Sequence, residues 1–81
     1  MKAETLEQAI RLKDKIEKTK YNIKGILECK NEKFKCEWCI NTPIGMFTIP
    51  KENPLFERIL EMVNEELNNN LRSYEKEFAE L

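Results

Sequence analysis

Cys36-Glu37-Trp38-Cys39 is the spacing in this 81-residue chain most able to do chemistry. A C-x-x-C can hold a soft metal or carry a dithiol–disulfide couple, and Cys29 stands seven residues before it. Zinc takes four ligands, usually Cys or His. The chain has three Cys and no His. Cys29, Cys36 and Cys39 are therefore a weak metal candidate, completed only by sharing between subunits, and no metal or other cofactor is expected. A regular strand over 34–40 would send Cys36 and Cys39 to opposite faces. A thioredoxin-like pair needs a helix N-terminus after a strand, which the surrounding pattern does not offer. Small apolar residues in a hairpin are the simplest reading of all three. If the turn before Phe34 centres on Glu32-Lys33, Cys29 and Cys36 lie opposite each other and can oxidise.

Catalysis has little else to use. Without His, the usual general base near neutral pH is missing. Ser73 stands alone, Asp14 is the sole Asp, and the two glycines, Gly25 and Gly45, make no phosphate loop. No enzyme is expected. Basic and aromatic residues offer binding instead. Lys30, Lys33 and Lys35 flank Phe34 and Trp38, a combination that holds phosphates and stacks bases. Alternation favours a plainer reading, with the rings on a core face and the lysines in solvent. Arg11, Lys15, Lys18 and Lys24 form a second basic row, first a solvated flank and second an anion site.

The totals bound these readings. Net charge is −1, with 14 basic and 15 acidic side chains, so no strong nucleic-acid field is implied. Residues 1–35 carry ten basic and six acidic side chains, and residues 36–81 carry four and nine. Two elements of one protein facing each other explain that asymmetry. An odd number of cysteines makes no secreted disulfide framework. No run of 18 apolar residues and no signal peptide is seen. A cytoplasmic protein of a bacterial host cell, with no membrane contact, is expected. Lys, Ile, Asn and Glu are abundant, as in the products of AT-rich bacterial or phage genomes.

The elements that carry these side chains are legible in outline. Thr5-Leu6-Glu7-Gln8 reads as a capping box. Ala9, Leu12, Ile16, Thr19, Ile23 and Ile26 follow on one helical face. This predicts a helix from about residue 3 to 22–24, with Gly25 as its stop. Phe34, Cys36, Trp38 and Ile40 then alternate with Lys33, Lys35, Glu37 and Cys39, the period of a strand. Pro43-Ile44-Gly45 is a turn, Met46–Ile49 a second strand, and Pro50 its end. A third strand is expected at Ile26–Cys29.

Asn53-Pro54 opens a last helix, Asn as N-cap and Pro at the first position. Phe56, Leu67 and Phe78 repeat every eleven residues, as do Leu60 and Leu71, and Val63 and Tyr74; Leu81 extends the row. Eleven residues over three turns nearly matches the α-helical repeat, so the stripe hardly drifts and a straight helix to residue 81 is predicted. The phase passes unbroken through Asn68, Asn69 and Asn70, poor interior helix residues. Such a helix is about 42 Å long, whereas a compact chain of this size is about 30 Å across. It should overhang its domain, leaving Leu60, Val63, Leu67, Leu71, Tyr74, Phe78 and Leu81 to pack between copies. Glu57, Glu61 and Glu65 form a like-charged row that the basic flank of the first helix would relieve. The fold class is thus α+β: one domain over 1–81, with an N-terminal helix, an antiparallel hairpin region of two or three strands at 26–49, and a long C-terminal helix at 54–81, oligomeric through helix packing.

Thr5–Ile10, the Thr48-Ile49-Pro50 link into the Pro54 helix and the closing Leu71–Leu81 segment together resemble small accessory proteins of phages and prophages. The resemblance covers most of the chain through general helix patterns and carries over no site residue. It implies a counter-defence role by sequestration of a host protein or a nucleotide signal. The expectation is a non-enzymatic homo-oligomer that sequesters a nucleotide signal in an inter-subunit pocket, with Arg11, Lys15 or Lys18 on phosphates and Trp38, Phe47 or Tyr74 on a base. Next comes a protein-interaction module, inhibitor or adaptor, that engages a host protein with the apolar end of the last helix. Weak nucleic-acid binding through the hairpin lysines is the third.

Overall fold

A computed structural model describes residues 2–81. Helix α1 spans Ala3–Glu28, strand β1 Glu37–Thr42, strand β2 Gly45–Pro50 and helix α2 Pro54–Ala79. The fold is α+β: two long helices lie side by side, and an antiparallel hairpin caps one end.

Helix α2 begins where the sequence places it. The Asn53 side chain accepts a hydrogen bond from the Leu55 N–H at 2.9 Å, and Pro54 occupies the first turn. The Asn triplet does not interrupt it. The Asn68 amide donates to the Asn64 carbonyl at 2.8 Å, and Asn69 accepts from Arg72, so these side chains bond along the helix. The hairpin turns on Pro43-Ile44, with Trp38 opposite Ile49 and Ile40 opposite Phe47. Gly45 has φ +142°, a region that disfavours any side chain.

Three expectations for the first half are corrected. The expected third strand at Ile26–Cys29 does not form; α1 continues through Gly25 to Glu28, beyond the expected stop at 22–24. A mid-helix Gly costs about 1 kcal/mol, and partial burial of a large apolar side chain offsets this with a share of the about 1.5–3 kcal/mol that full burial gains. Ile26 keeps the phase of the Leu12–Ile23 face and packs against the core, so the longer helix wins. Residues 29–34 then form successive turns and bends, and 35–36 lead irregularly into β1, rather than a strand. Finally, α1 starts at Ala3 with Lys2 as N-cap, and Thr5 lies inside the first turn instead of capping it.

The overhang is corrected as well. Helices α1 and α2 have 26 residues each and run antiparallel, so α1 lies along α2 to its far end. The cost is compactness. The radius of gyration is 16.6 Å with extents of 50 × 31 × 18 Å, against roughly 12 Å for a compact chain of this length. The buried apolar core among the described residues is small: Leu12 midway along α1, and Ile49, Phe56 and Leu60 at the hairpin end. Leu60, expected between subunits, is 2% exposed within one chain and belongs to this core.

Candidate functional site

The residues expected at one ligand site separate to the two ends of the helix pair. At the hairpin end, the Trp38 ring packs against Phe56 with centroids 5.9 Å apart. Its indole N–H donates to the Phe56 carbonyl at 3.1 Å. Trp38 is thus a clasp between β1 and the first turn of α2, its ring and N–H both engaged within the chain. Phe47 is half exposed on the outer part of the hairpin, opposite Ile40. Replacing Trp38 with Phe keeps a ring but loses the hydrogen bond, worth about 1 kcal/mol. The unfolding midpoint should fall by about 4–8 °C in a thermal melt followed by circular dichroism.

At the opposite end, Lys15 meets Tyr74, and Arg11 and Lys15 share a cleft. The Lys15 ammonium lies 5.5 Å from the centre of the Tyr74 ring, within the range of a cation–π contact. A cleft of about 400 Å³ opens beside it, lined by Gln8, Arg11, Leu12, Lys15, Glu77, Glu80 and Leu81. Leu12 is its apolar floor; two cations stand on the α1 wall and two carboxylates on the α2 wall. Phe56 and Glu77 are 21 residues apart on one helix, so about 30 Å separates this cleft from Trp38. Lys18 does not join it. Its ammonium is 3.0 Å from Asp14 on an exposed face of α1.

That is the single ion pair within 4 Å among the described residues. The expected pairing of the basic flank with Glu57, Glu61 and Glu65 therefore does not form, and all three carboxylates remain exposed. For Arg11 and Lys15 the reason is antiparallel packing, which sets them against Glu77 and Glu80, at the other end of α2. Gln8, Glu77 and Glu80 were not among the expected site residues, and chain direction was the signal that could have found them.

The cysteines divide differently. Cys29, at the end of α1, and Cys36, just before β1, are both half-buried against the Ile49–Phe56–Leu60 core. Burial, and next its neighbour Cys36, push the Cys29 thiol up to about 11. Cys39 is exposed on β1, 3.9 Å from Glu37. No group of three Cys, Asp or Glu residues converges as a metal site among the described residues. The connection between Cys29 and Cys36 is held by a residue that sequence reading passed over. The Lys51 ammonium, just beyond β2, donates to the Asn31 carbonyl at 2.7 Å and the Phe34 carbonyl at 3.3 Å.

No protein-family model matches this chain, and no curated protein or solved structure matches it significantly. No described helix is long and apolar enough to cross a membrane.

Proposed function

We propose that the chain is a non-enzymatic binding protein that works as a homo-oligomer and captures its target without converting it. One observation carries the homo-oligomer in this reading. The chain exposes 6847 Å², whereas a folded monomer of 9.7 kDa is expected to expose about 5,100 Å². The excess, about 1,700 Å² per chain, falls in the range that obligate partners bury, about 1,000–2,500 Å² each. Val63, Leu67, Leu71 and Tyr74 of α2, with Ile16 and Ile23 of α1, are only half-buried along the helix seam. Phe78 and Leu81 extend that row and are more exposed. Two paired helices shelter only the strip between them, and a second pair laid across it makes a four-helix layer. Sedimentation equilibrium tests this, with a mass of at least twice 9.7 kDa expected.

The Lys15–Tyr74 contact favours a nucleotide as the target. Arg11 and Lys15 can hold a phosphate, and Tyr74 offers a ring beside them. Glu77 and Glu80 oppose an anion on their wall, so the base must present donors to that side, as the amino and ring N–H edge of a guanine does. This is the sequestration role that the phage-type resemblance implies. A guanine nucleotide at 100 times its dissociation constant should add about 2.7 kcal/mol of stability. The midpoint should then rise by roughly 10 °C or more, and Arg11→Ala should remove the rise. Equal shifts in the parent and Arg11→Ala would place binding elsewhere.

A further inference from the structure

We propose that Cys29 and Cys36 are a disulfide-forming pair, closed by a low-molecular-weight disulfide such as glutathione disulfide, while Cys39 stays a separate thiol. The geometry is that of a short loop pinned at both ends. Cys29 ends the buried side of α1, Cys36 precedes β1, and both pack against the same core cluster. The turns between them are stapled by Lys51 through the Asn31 and Phe34 carbonyls, and Cys36 is the thiol that acts on Cys29 as its neighbour, without an ordered partner strand between them. Both cysteines are half-buried rather than enclosed, which leaves a path for a small reagent. Cys39 is three residues from Cys36, but it lies exposed on β1 beside Glu37. Proximity along the chain and proximity in space therefore name different partners for Cys36.

The chemistry is two successive exchanges. Cys36 loses its proton to solvent, and its thiolate attacks one sulfur of the external disulfide. The external S–S bond breaks, and one small thiolate leaves. Cys29 then loses its proton and attacks the Cys36 sulfur of the mixed disulfide, expelling the second thiolate. The protein gives up two hydrogens and two electrons, and the reagent takes them as two thiols. With its thiol pushed up to about 11, Cys29 is the slow partner at neutral pH. The closing step should quicken about tenfold per pH unit between pH 7 and 9, as the thiolate fraction rises. The product ties the end of α1 to the hairpin and fixes the joint that Lys51 otherwise holds by hydrogen bonds.

The test is to incubate the folded chain with glutathione disulfide, alkylate the remaining thiols, and map the products. Trypsin followed by a Glu-specific protease is needed, because cleavage after Glu37 separates Cys36 from Cys39. The expected result is a Cys29–Cys36 link with Cys39 alkylated, unchanged in Cys39→Ser. Closing so short a loop should raise the unfolding midpoint by roughly 10 °C. In concentrated urea the Cys29–Cys36 preference should disappear. A dominant Cys36–Cys39 link in the folded chain, or stable mixed disulfides on all three cysteines, would overturn the proposal.

Discussion

Phe56→Ala leaves a chain that does not fold on its own at 25 °C. Phe56 is 3% exposed and meets the hairpin, the end of α1 and its own helix at one point. Truncating a buried Phe to Ala costs about 3–5 kcal/mol. At roughly 0.05–0.15 kcal/mol per residue, a domain of this length has about 4–12 kcal/mol in total. This chain belongs at the low end, because so few of its apolar side chains are buried. Loss of the ring also strips Trp38 of its aromatic neighbour, so the hairpin loosens together with the helix. Far-UV circular dichroism and the fluorescence of the one tryptophan should therefore report unfolding together. Leu55→Ala, at the neighbouring and 45% exposed position, should shift the midpoint by only a few degrees. A Phe56→Ala melt close to that of the parent chain would mean that the hairpin-end cluster is not the core.

What the sequence showed and what it hid divide along one physical line. Features set by local backbone chemistry were legible. Asn53-Pro54 starts α2 as cap and first-turn proline, and Pro43-Ile44-Gly45 turns the hairpin with a positive φ at the glycine. The eleven-residue row gives a helix that runs through the Asn triplet, where the Asn68 amide shares the Asn64 carbonyl with the backbone ladder instead of replacing it. Features set by tertiary packing were not legible. Gly25 looks like a stop in isolation, yet Ile26 keeps the helical phase and packs partly buried against the core, and the helix takes the residues expected to form a third strand. The Trp38 N–H finds its acceptor 18 residues away, and no local pattern encodes that distance. The same tryptophan could therefore be read both as a core ring and as a free stacking surface, and within the chain it packs as the core ring. The cleft residues illustrate the point best. Pairing the basic flank of α1, Arg11 and Lys15 included, with Glu57, Glu61 and Glu65 matches opposite charges but ignores direction for those two. The hairpin reverses the chain, so the first turns of α1 meet the last turns of α2 and the carboxylates they face are Glu77 and Glu80.

The same reversal decides where a second copy should be attacked. Phe78→Glu should shift the chain towards monomer while leaving its helices intact. Phe78 lies in the last turn of α2, 42% exposed, in phase with Leu67 and Leu71 on the stripe. In one chain, its replacement removes little burial, so the circular dichroism spectrum and midpoint of the diluted monomer should be nearly unchanged. Between chains it is different. A buried aromatic at an interface is typically worth 2 kcal/mol or more, and a carboxylate in its place must be desolvated without a partner. The dissociation constant should therefore rise at least about 100-fold, the equivalent of roughly 2.8 kcal/mol. Met62→Glu is the matched control. Met62 is more exposed than Phe78, but it stands 16 positions away, about 160° round the helix at 3.6 residues per turn. A general effect of added charge would act at both positions, whereas an interface on the stripe responds only at Phe78. Sedimentation velocity across a concentration series separates the two. Equal weakening by both variants would move the interface off the helix seam. A parent chain that sediments as a 9.7 kDa particle at tens of micromolar would remove the second copy altogether, and the exposed row would then have to be covered by a different protein.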